Sequence, residues 1–357
     1  MRLIHTSDIH IGAPMTSVLC GAKARERSRE LLDGFAAMIR DGEAIGAEVI
    51  IIAGDLFDSE RVPLRTVEAV LSLMREHSSL SFLLLPGNHE GEVVRSCGLK
   101  LPKNLKIFNT GWTYFDIGEV RIAGRSEIRQ DMFKTLMIRE GARNIVVLHG
   151  EARETGEREG VIPLRDASGL GIDYIALGHY HSFCEYPVDD GCSAVYCGTP
   201  EGRGFDECGK KGYVVLDVDG GGTKYTFRSQ AKRTLHTITV DITGVRDGAE
   251  WEWRVNCAVQ KIPASDLVRI EIVGRYEIGL IRDTDRLIRL FGHKFYHFEV
   301  NDRSLPMINM EDYKNDKSLR GEFIRSVMSD TTLSDEEKGE VISCGLYALV
   351  GEAIYDR

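Results

Sequence analysis

Residues 49–58 read VIIIAGDLFD, a continuous apolar run that ends in a glycine and an acid. A β-branched run without alternating polar residues is typical of a strand buried on both faces of a parallel sheet. Residues that follow such strands collect at one edge of the sheet, where open α/β folds place their ligand sites. The stretch therefore predicts an α/β fold with Asp55 at a functional edge.

Four further segments repeat this arrangement of an apolar run followed by side chains that can hold a metal ion. They are Asp8-Ile9-His10, Gly87-Asn88-His89, His149, and Gly178-His179-Tyr180-His181. Five of the ten histidines of the chain fall in this set. Imidazole and oxygen ligands without a thiolate suit Mn, Fe or Zn better than Ca. Because two such ions together cleave phosphoesters, the five segments predict a two-metal phosphoesterase site.

The spacing within the segments suggests how ligands could be shared. On an extended segment, residues two apart point to the same side, so Asp8 and His10 are predicted to hold one ion together. His179 and His181 have the same spacing, and Asp55 has two oxygens with which to bridge two ions. Each segment alone is a weak signal, because an isolated histidine is more often structural. The inference depends on all five occurring in order.

Apolar periodicity indicates the remaining elements and three parts of the chain. Helices are predicted at 24–40 and from Pro63 onward, and a strand hairpin at 113–117 and 120–124. After about residue 190 the pattern changes to successive strands. A small α+β module follows, with a helix predicted at 278–291. The last part is a helical tail, in which Ser334 and Glu337 form a capping box. The predicted domains are 1–231, a capping domain 232–304, and a tail 305–357.

Composition excludes several classes of protein. The chain has 357 residues, 43% of them hydrophobic, and a formal net charge of −10. This charge argues against a protein that coats nucleic acid unaided, although nucleic acid could still be a substrate. The eight cysteines include no C-x-x-C pair, so reduced thiols are expected rather than a zinc site at 184–208. A strand-like N-terminus and the lack of a membrane-length apolar run favour a cytoplasmic protein.

The five segments match, in order, the motifs of the calcineurin-like metallophosphoesterases, and the chain resembles this family over about residues 1–230. Within the family it looks like the SbcD-type nuclease subunits of DNA repair. The supporting details are HTSD at 5–8, LFD at 56–58, YCGTP at 196–200 and FDE at 205–207. The resemblance implies a layered α/β/β/α sandwich with a small α+β capping domain and a helical tail.

The resemblance also implies a role for each motif residue. One ion would be held by Asp8, His10, Asp55 and His181, and the second by Asp55, Asn88, His149 and His179. His89 would act near the leaving oxygen as a general acid or transition-state stabiliser, and Glu90 would orient it. The two ions, expected to be Mn²⁺ with Mg²⁺, Fe²⁺ or Zn²⁺ as alternatives, would make a hydroxide available for in-line attack on phosphorus.

The expected activity is metal-dependent DNA cleavage, as an exonuclease, an endonuclease or both. Resemblance implies an SbcC-type coiled-coil ATPase as partner, for which the tail from Met310 is the candidate docking segment, and a homodimer. Two alternatives stay open: a phosphoesterase for nucleotides or other small phosphoesters, and a non-catalytic metal-binding scaffold. Candidate phosphate contacts are Arg125, Arg153, Arg158, Arg203, Lys210 and Lys211. Trp251 and Trp253 could stack a base, or lie on a half-buried strand.

Overall fold

The computed structural model describes residues 1–87, 93–156, 158, 160–277, 280–307 and 313–350. The chain divides into two compact units, Met1–Thr234 and Leu235–Arg357. The finer division at 231 and 304 stays a proposal.

A six-stranded sheet in the first unit carries the first three motif segments. Its spatial order is β14 (Gly222–Ser229), β13 (Gly212–Asp219), β1 (Arg2–Thr6), β2 (Val49–Ala53), β3 (Ser81–Leu85) and β4 (Leu105–Ile107). Strands β1 to β4 are parallel, whereas β13 is antiparallel to β1. The loops after β1, β2 and β3 consequently leave the sheet at one edge.

A second six-stranded sheet carries the other two segments. Its spatial order is β11 (Cys184–Asp189), β12 (Cys192–Tyr196), β10 (Tyr174–Gly178), β7 (Arg143–His149), β6 (Val120–Gly124) and β5 (Thr113–Ile117). The four inner strands are parallel and the two edge strands antiparallel. Gly178 pairs with His149, so both segments leave their strands at the same level.

The two sheets pack face to face and are covered on their outer faces. Apolar side chains of both sheets, such as Ile51 and Val147, form the core between them. Helices α1 (Gly21–Ala44) and α2 (Leu64–Glu76) cover the first sheet, and the short α3 (Val93–Ser96) adds to this layer. The second sheet is covered by 3₁₀ turns at Met132–Thr135 and Leu164–Ala167. A two-stranded ladder pairs β8 (Ala152–Arg153) with β9 (Ile162–Pro163).

Burial explains why the predicted apolar runs form these elements. All five residues of β2 are buried, as its continuous apolar sequence requires. Four residues on one face of α2 are buried, namely Val67, Val70, Leu71 and Met74. Each such side chain contributes roughly 1.5–3 kcal/mol when fully buried. The layered α/β fold class is confirmed.

The second unit has its own sheet and its own core. Strands β15 (Leu235–Asp241), β16 (Leu267–Val273) and β18 (His297–Asp302) are parallel, with α4 (Gly248–Val259) and α5 (Thr284–Phe291) between them in the chain. Strands β17 (Arg275–Tyr276) and β19 (Leu305–Pro306) form a separate pair. Helices α6 (Leu319–Ser329) and α7 (Asp335–Val350) pack on each other, and the capping box at Ser334 and Glu337 is present.

Two sequence expectations are corrected in this unit. Trp251 and Trp253 lie on helix α4 rather than on a strand; Trp251 is 2% exposed in the core and Trp253 is 63% exposed. Asp247 caps this helix by accepting a hydrogen bond from the Glu250 amide, a start signal that outweighs the short alternating pattern. The helix predicted at 278–291 begins only at Thr284 in the structure, and residues 278 and 279 lie outside the description.

No helix in the described part of the chain combines the length and the apolar character that a membrane crossing needs.

Candidate metal centre

The structure brings the ends of four of the five motif strands together at one edge of the two sheets. The Asp8 amide donates to the Gly54 carbonyl at 3.0 Å, and the His10 amide donates to the Asp55 carbonyl at 3.0 Å. The Gly150 amide, after His149, donates to the Gly178 carbonyl at 3.1 Å. These bonds lock neighbouring loops to one another. The fifth segment supplies Gly87, whereas Asn88, His89 and Glu90 lie outside the described residues.

Several of these residues have an unusual backbone conformation. Asp8, His10 and Asp55 have φ of 52°, 50° and 52°, and His179 has φ of 104°. Non-glycine residues with positive φ cost of order 1–3 kcal/mol each and concentrate at functional sites. The sequence argument that placed Asp8 and His10 on an extended segment is therefore wrong. Their left-handed turns, fixed by the bonds to the β2 loop, bring the two side chains together instead.

The side chains form two overlapping groups of metal-type ligands. Ligand atoms of Asp8, His10 and His181 lie within 4.8 Å of one another, and so do those of Asp8, Asp55 and His149. One Asp55 carboxylate oxygen lies 3.9 Å from His10 Nε2 and 3.4 Å from His149 Nε2. Both acids therefore reach both groups, which is the arrangement a shared carboxylate needs.

The four histidines fall into two pairs. The rings of His10 and His181 have centroids 5.2 Å apart, and those of His149 and His179 are 5.4 Å apart. The Asp8 carboxylate accepts from the His179 amide at 3.0 and 3.1 Å, which ties the second pair to the first. This pairing follows the division between two ions that the resemblance implies; the assignment of each ligand to an ion stays a proposal.

Two histidines are oriented by a hydrogen-bond acceptor at Nδ1, and a third has a carboxylate nearby. His149 Nδ1 lies 2.8 Å from the Ala53 carbonyl, and His181 Nδ1 lies 2.7 Å from Glu207 Oε1. His10 Nδ1 lies 3.4 Å from Asp58 Oδ1. Metal-binding histidines almost always donate their other ring N–H to a carboxylate or carbonyl, because this fixes the tautomer. The geometry thus directs Nε2 of each ring towards the acids, and the residues present fit divalent cations.

The electrostatics of the cluster favour added positive charge. Asp8 and Asp55 are almost fully buried, and a buried carboxylate is costly without a cation or proton nearby. Burial lowers the pKa of His149, but the hydrogen bond to Asp55 and the charges of Asp8 and Asp55 outweigh it and raise the pKa to about 9. The raised pKa of His149 and the two buried carboxylates thus reflect the same excess of negative charge in the cluster.

Glycines allow the motif loops to approach one another at this edge. A Cβ at Gly178 would lie 1.8 Å from the Ala53 carbonyl oxygen, and one at Gly87 would lie 2.1 Å from Asp55 Oδ1. Real Cβ atoms essentially never come closer than 3.0 Å to another atom. The glycines of the motifs are thus required by the packing of the site itself.

Arg203 contacts two carboxylates beside the cluster, a role that sequence reasoning missed. It donates to Glu207 Oε1 at 2.8 Å and to Asp58 Oδ1 at 3.3 Å. Glu207 is buried; burial raises its pKa, but its bonds to His181 and Arg203 lower the pKa to about 2. In the sequence, only their places in the motif stretches LFD at 56–58 and FDE at 205–207 pointed to Asp58 and Glu207 as functional residues.

The other candidate phosphate contacts are used inside the fold or lie on its surface. Lys211 is buried and donates to the His181 carbonyl at 2.6 Å. Arg125 is buried and donates to the Glu127 carbonyl, whereas Arg153 is exposed and pairs with Glu151. His5 is buried and its Nδ1 lies 3.0 Å from the Tyr174 hydroxyl; burial lowers its pKa to about 3. His5 is therefore a packed residue rather than a ligand.

A sequence profile of the calcineurin-like phosphoesterases matches residues 1–183, just over half of the chain. Together with the sheet architecture and the acid–histidine cluster, this match shows that the chain belongs to the calcineurin-like phosphoesterase family. The resemblance drawn from the five motifs is confirmed.

Three curated relatives extend the similarity beyond the family domain. The chain is 25% identical over 276 residues to the DNA double-strand break repair protein Mre11 of Saccharolobus solfataricus, covering 69% of this chain and 70% of that protein. It is 24% identical over 292 residues to the protein of the same name from Haloferax volcanii, covering 77% and 62%. It is 25% identical over 280 residues to the uncharacterized metallophosphoesterase YhaO of Bacillus subtilis, covering 69% and 64%. The chain thus spans less than two thirds of the last two.

Proposed function

We propose that this protein is a metal-dependent nuclease that hydrolyses phosphodiester bonds of DNA. The observation that carries the proposal is the convergence of Asp8 with His10 and His181, and of Asp8 with Asp55 and His149, each group within 4.8 Å. Similarity to proteins named for DNA double-strand break repair supports DNA as the substrate.

The proposed ligands divide between two cations, with Mn²⁺ as the expected metal. Asp8, His10, Asp55 and His181 hold the first, and Asp55, Asn88, His149 and His179 hold the second. When bound, two divalent cations polarise the phosphate and supply a hydroxide nucleophile at neutral pH. Asp55 would be the ligand common to both cations, because one of its carboxylate oxygens faces both His10 and His149.

The remaining chemistry is assigned to side chains that position groups or move protons. His89 gives a proton or a hydrogen bond to the leaving oxygen, a step that suits an imidazole near neutral pH. Glu90 orients His89. Glu207 holds Nδ1 of His181 by a hydrogen bond, so that Nε2 stays directed at the cluster. Asp58 Oδ1, 3.4 Å from Nδ1 of His10, favours the same orientation of that ring.

The proposal extends to an assembly. With a net charge of −10, the chain is poorly suited to hold DNA by itself. We therefore infer an SbcC-type coiled-coil ATPase as the partner that brings DNA to the site, and a homodimer as the working form. The tail from Met310 is the proposed docking segment. Helices α6 and α7 pack on each other through Phe323 and Gly345. Leu319, at the start of α6, is 71% exposed.

Cleavage assays with purified protein and added Mn²⁺ test the activity. Single- and double-stranded DNA are compared with a small phosphodiester and a phosphomonoester, using wild type, Asp55→Ala and His89→Ala. Asp217→Ala, an exposed acid paired with Arg2 on the first sheet, is the matched control. We expect wild type and the control to cleave DNA, and the two site variants to lose at least about 100-fold in rate.

Two outcomes would contradict the proposal. Hydrolysis of small esters without cleavage of any DNA would identify a phosphoesterase for nucleotides or related compounds. Wild-type nuclease rates in both site variants would remove the catalytic assignment and leave a metal-binding scaffold. For the partner, truncation after Ser318 removes α6 and α7, and unchanged affinity for the ATPase would refute docking by these helices.

A further inference from the structure

Exposed aromatic side chains are concentrated next to the metal-type ligands. Among the residues that the structure describes, four aromatic side chains are exposed: Tyr180, Phe183, Tyr186 and Trp253. Three of them fall within seven residues of the chain, beginning directly after His179. Burial does not explain an aromatic residue at position 180, because Tyr180 is 57% exposed. A surface of this kind indicates a binding role more often than a scattered single residue does.

The buried ring of Tyr196 packs against two of these exposed rings. Its ring lies 5.6 Å from that of Tyr180 and 6.2 Å from that of Tyr186, tilted by 52° and 79°. The Tyr196 hydroxyl donates to the Gly150 carbonyl and accepts from the Ala152 amide, both at 2.7 Å. Since Tyr196 is only 2% exposed, it is a fixed base rather than part of the exposed surface.

The same contacts connect these aromatic residues to the metal centre at two points. Tyr180 stands between His179 and His181 in the chain, and Tyr196 is bonded to the backbone that follows His149. Tyr180 directly adjoins two ligands in the chain, so it is the exposed aromatic residue nearest in sequence to a phosphate held at the cluster. In a polynucleotide the groups beside such a phosphate include a nucleobase, and an unpaired base presents a π-face to an aromatic ring whatever its identity.

We propose that Tyr180, supported by Tyr196, stacks the unpaired nucleobase next to the phosphodiester that is cleaved. The inference rests on the proposed nuclease function and specifies its substrate: a single-stranded or locally unpaired DNA end. Tyr186 forms the outer margin of the same surface. The stacking is independent of sequence, so cleavage tolerates any base at this position and is slowed where the base is missing.

Three substitutions at Tyr180 test the role of the ring. Tyr180→Phe keeps the aromatic face, Tyr180→Leu keeps apolar bulk without it, and Tyr180→Ala removes both. Wild type and each variant are assayed with Mn²⁺ on a single-stranded oligonucleotide and on a series that carries one abasic analogue at successive positions. We expect kcat/KM to fall roughly 5- to 150-fold in Tyr180→Ala and Tyr180→Leu, and to be nearly unchanged in Tyr180→Phe.

The abasic series separates stacking from a structural effect. At one position of the series, the abasic analogue should slow wild type by about the factor that Tyr180→Ala loses on intact DNA. The same analogue should not slow the Tyr180→Ala enzyme any further. Mn²⁺ content and thermal unfolding should be unchanged in all three variants, because Tyr180 itself is not a ligand. The stacking role would be overturned if Tyr180→Ala lost the same factor relative to wild type on intact and on abasic DNA, or cleaved intact DNA at the wild-type rate. Neither result would affect the proposed nuclease function. If wild type cleaves no DNA at all, the proposed function fails first.

Discussion

Replacing Gly87 by alanine should disable the metal centre without altering the rest of the fold. The new Cβ would lie 2.1 Å from Asp55 Oδ1 and 2.4 Å from the Asp55 amide nitrogen. Gly87 does not have a positive φ, so alanine can adopt its backbone conformation without strain. The effect of the substitution is therefore a steric displacement of Asp55, the acid that faces both His10 and His149.

The size of the displacement follows from these distances. A contact of 2.1 Å must open by about 1.3 Å to reach 3.4 Å, where ordinary van der Waals contact begins. Metal–ligand distances vary by only about 0.2 Å in working sites, and a shift of about 1 Å in a reacting group can cost on the order of 100-fold in rate. Gly87→Ala should therefore lower Mn²⁺ affinity and the phosphodiesterase rate by about 100-fold.

Titration calorimetry with Mn²⁺ and a phosphodiesterase assay measure the two effects. The matched control is Gly111→Ala, where an added Cβ meets nothing within 4 Å and φ is not positive. Overpacking costs typically about 1–3 kcal/mol, so circular dichroism and thermal unfolding of the metal-free variant establish that it folds. A folded Gly87→Ala protein with wild-type Mn²⁺ affinity and rate would refute the crowding argument.

Three further predictions concern other parts of the molecule. The His5 imidazole has a pKa of about 3 in the folded protein and 6.5 in the unfolded chain. As the pH falls from 7 to 5, only the unfolded chain gains a proton here, so the free energy of unfolding should fall by about 2 kcal/mol more in wild type than in His5→Gln. Urea unfolding without metal measures this difference. Glu207→Gln should weaken Mn²⁺ binding by about 10- to 100-fold because His181 loses a charged acceptor, whereas exposed Glu185→Gln should not; equal affinities would dismiss the orienting role. Trp251→Ala should destabilise the second unit by about 3–5 kcal/mol and Trp253→Ala by about 0.5 or less, as thermal unfolding would reveal; similar losses would contradict the helical assignment.

The elements with strong local signals were predicted well. The strand at 49–53, fully apolar, and the hairpin at 113–124 are present with the expected bounds. Edge strand β11 at Cys184–Asp189 was missed, because it is mostly exposed and has no buried face to impose alternation. For Trp251 and Trp253, a half-buried strand was one alternative. Two aromatic residues at a spacing of two occur in strands and in helices, so their spacing does not distinguish the two.

The amino-acid sequence by itself determined where strands end and which side chains follow them, since both depend on neighbouring residues in the chain. It therefore specified the α/β class, the family and the candidate ligands. Only the tertiary structure decided how those ligands are held: His149 by Ala53, 96 residues away, and Asp8 by His179, 171 residues away. It also placed Arg203 against Asp58, 145 residues away. Contacts of this range depend on how two sheets pack and how left-handed turns aim each side chain, and no local pattern encodes that geometry.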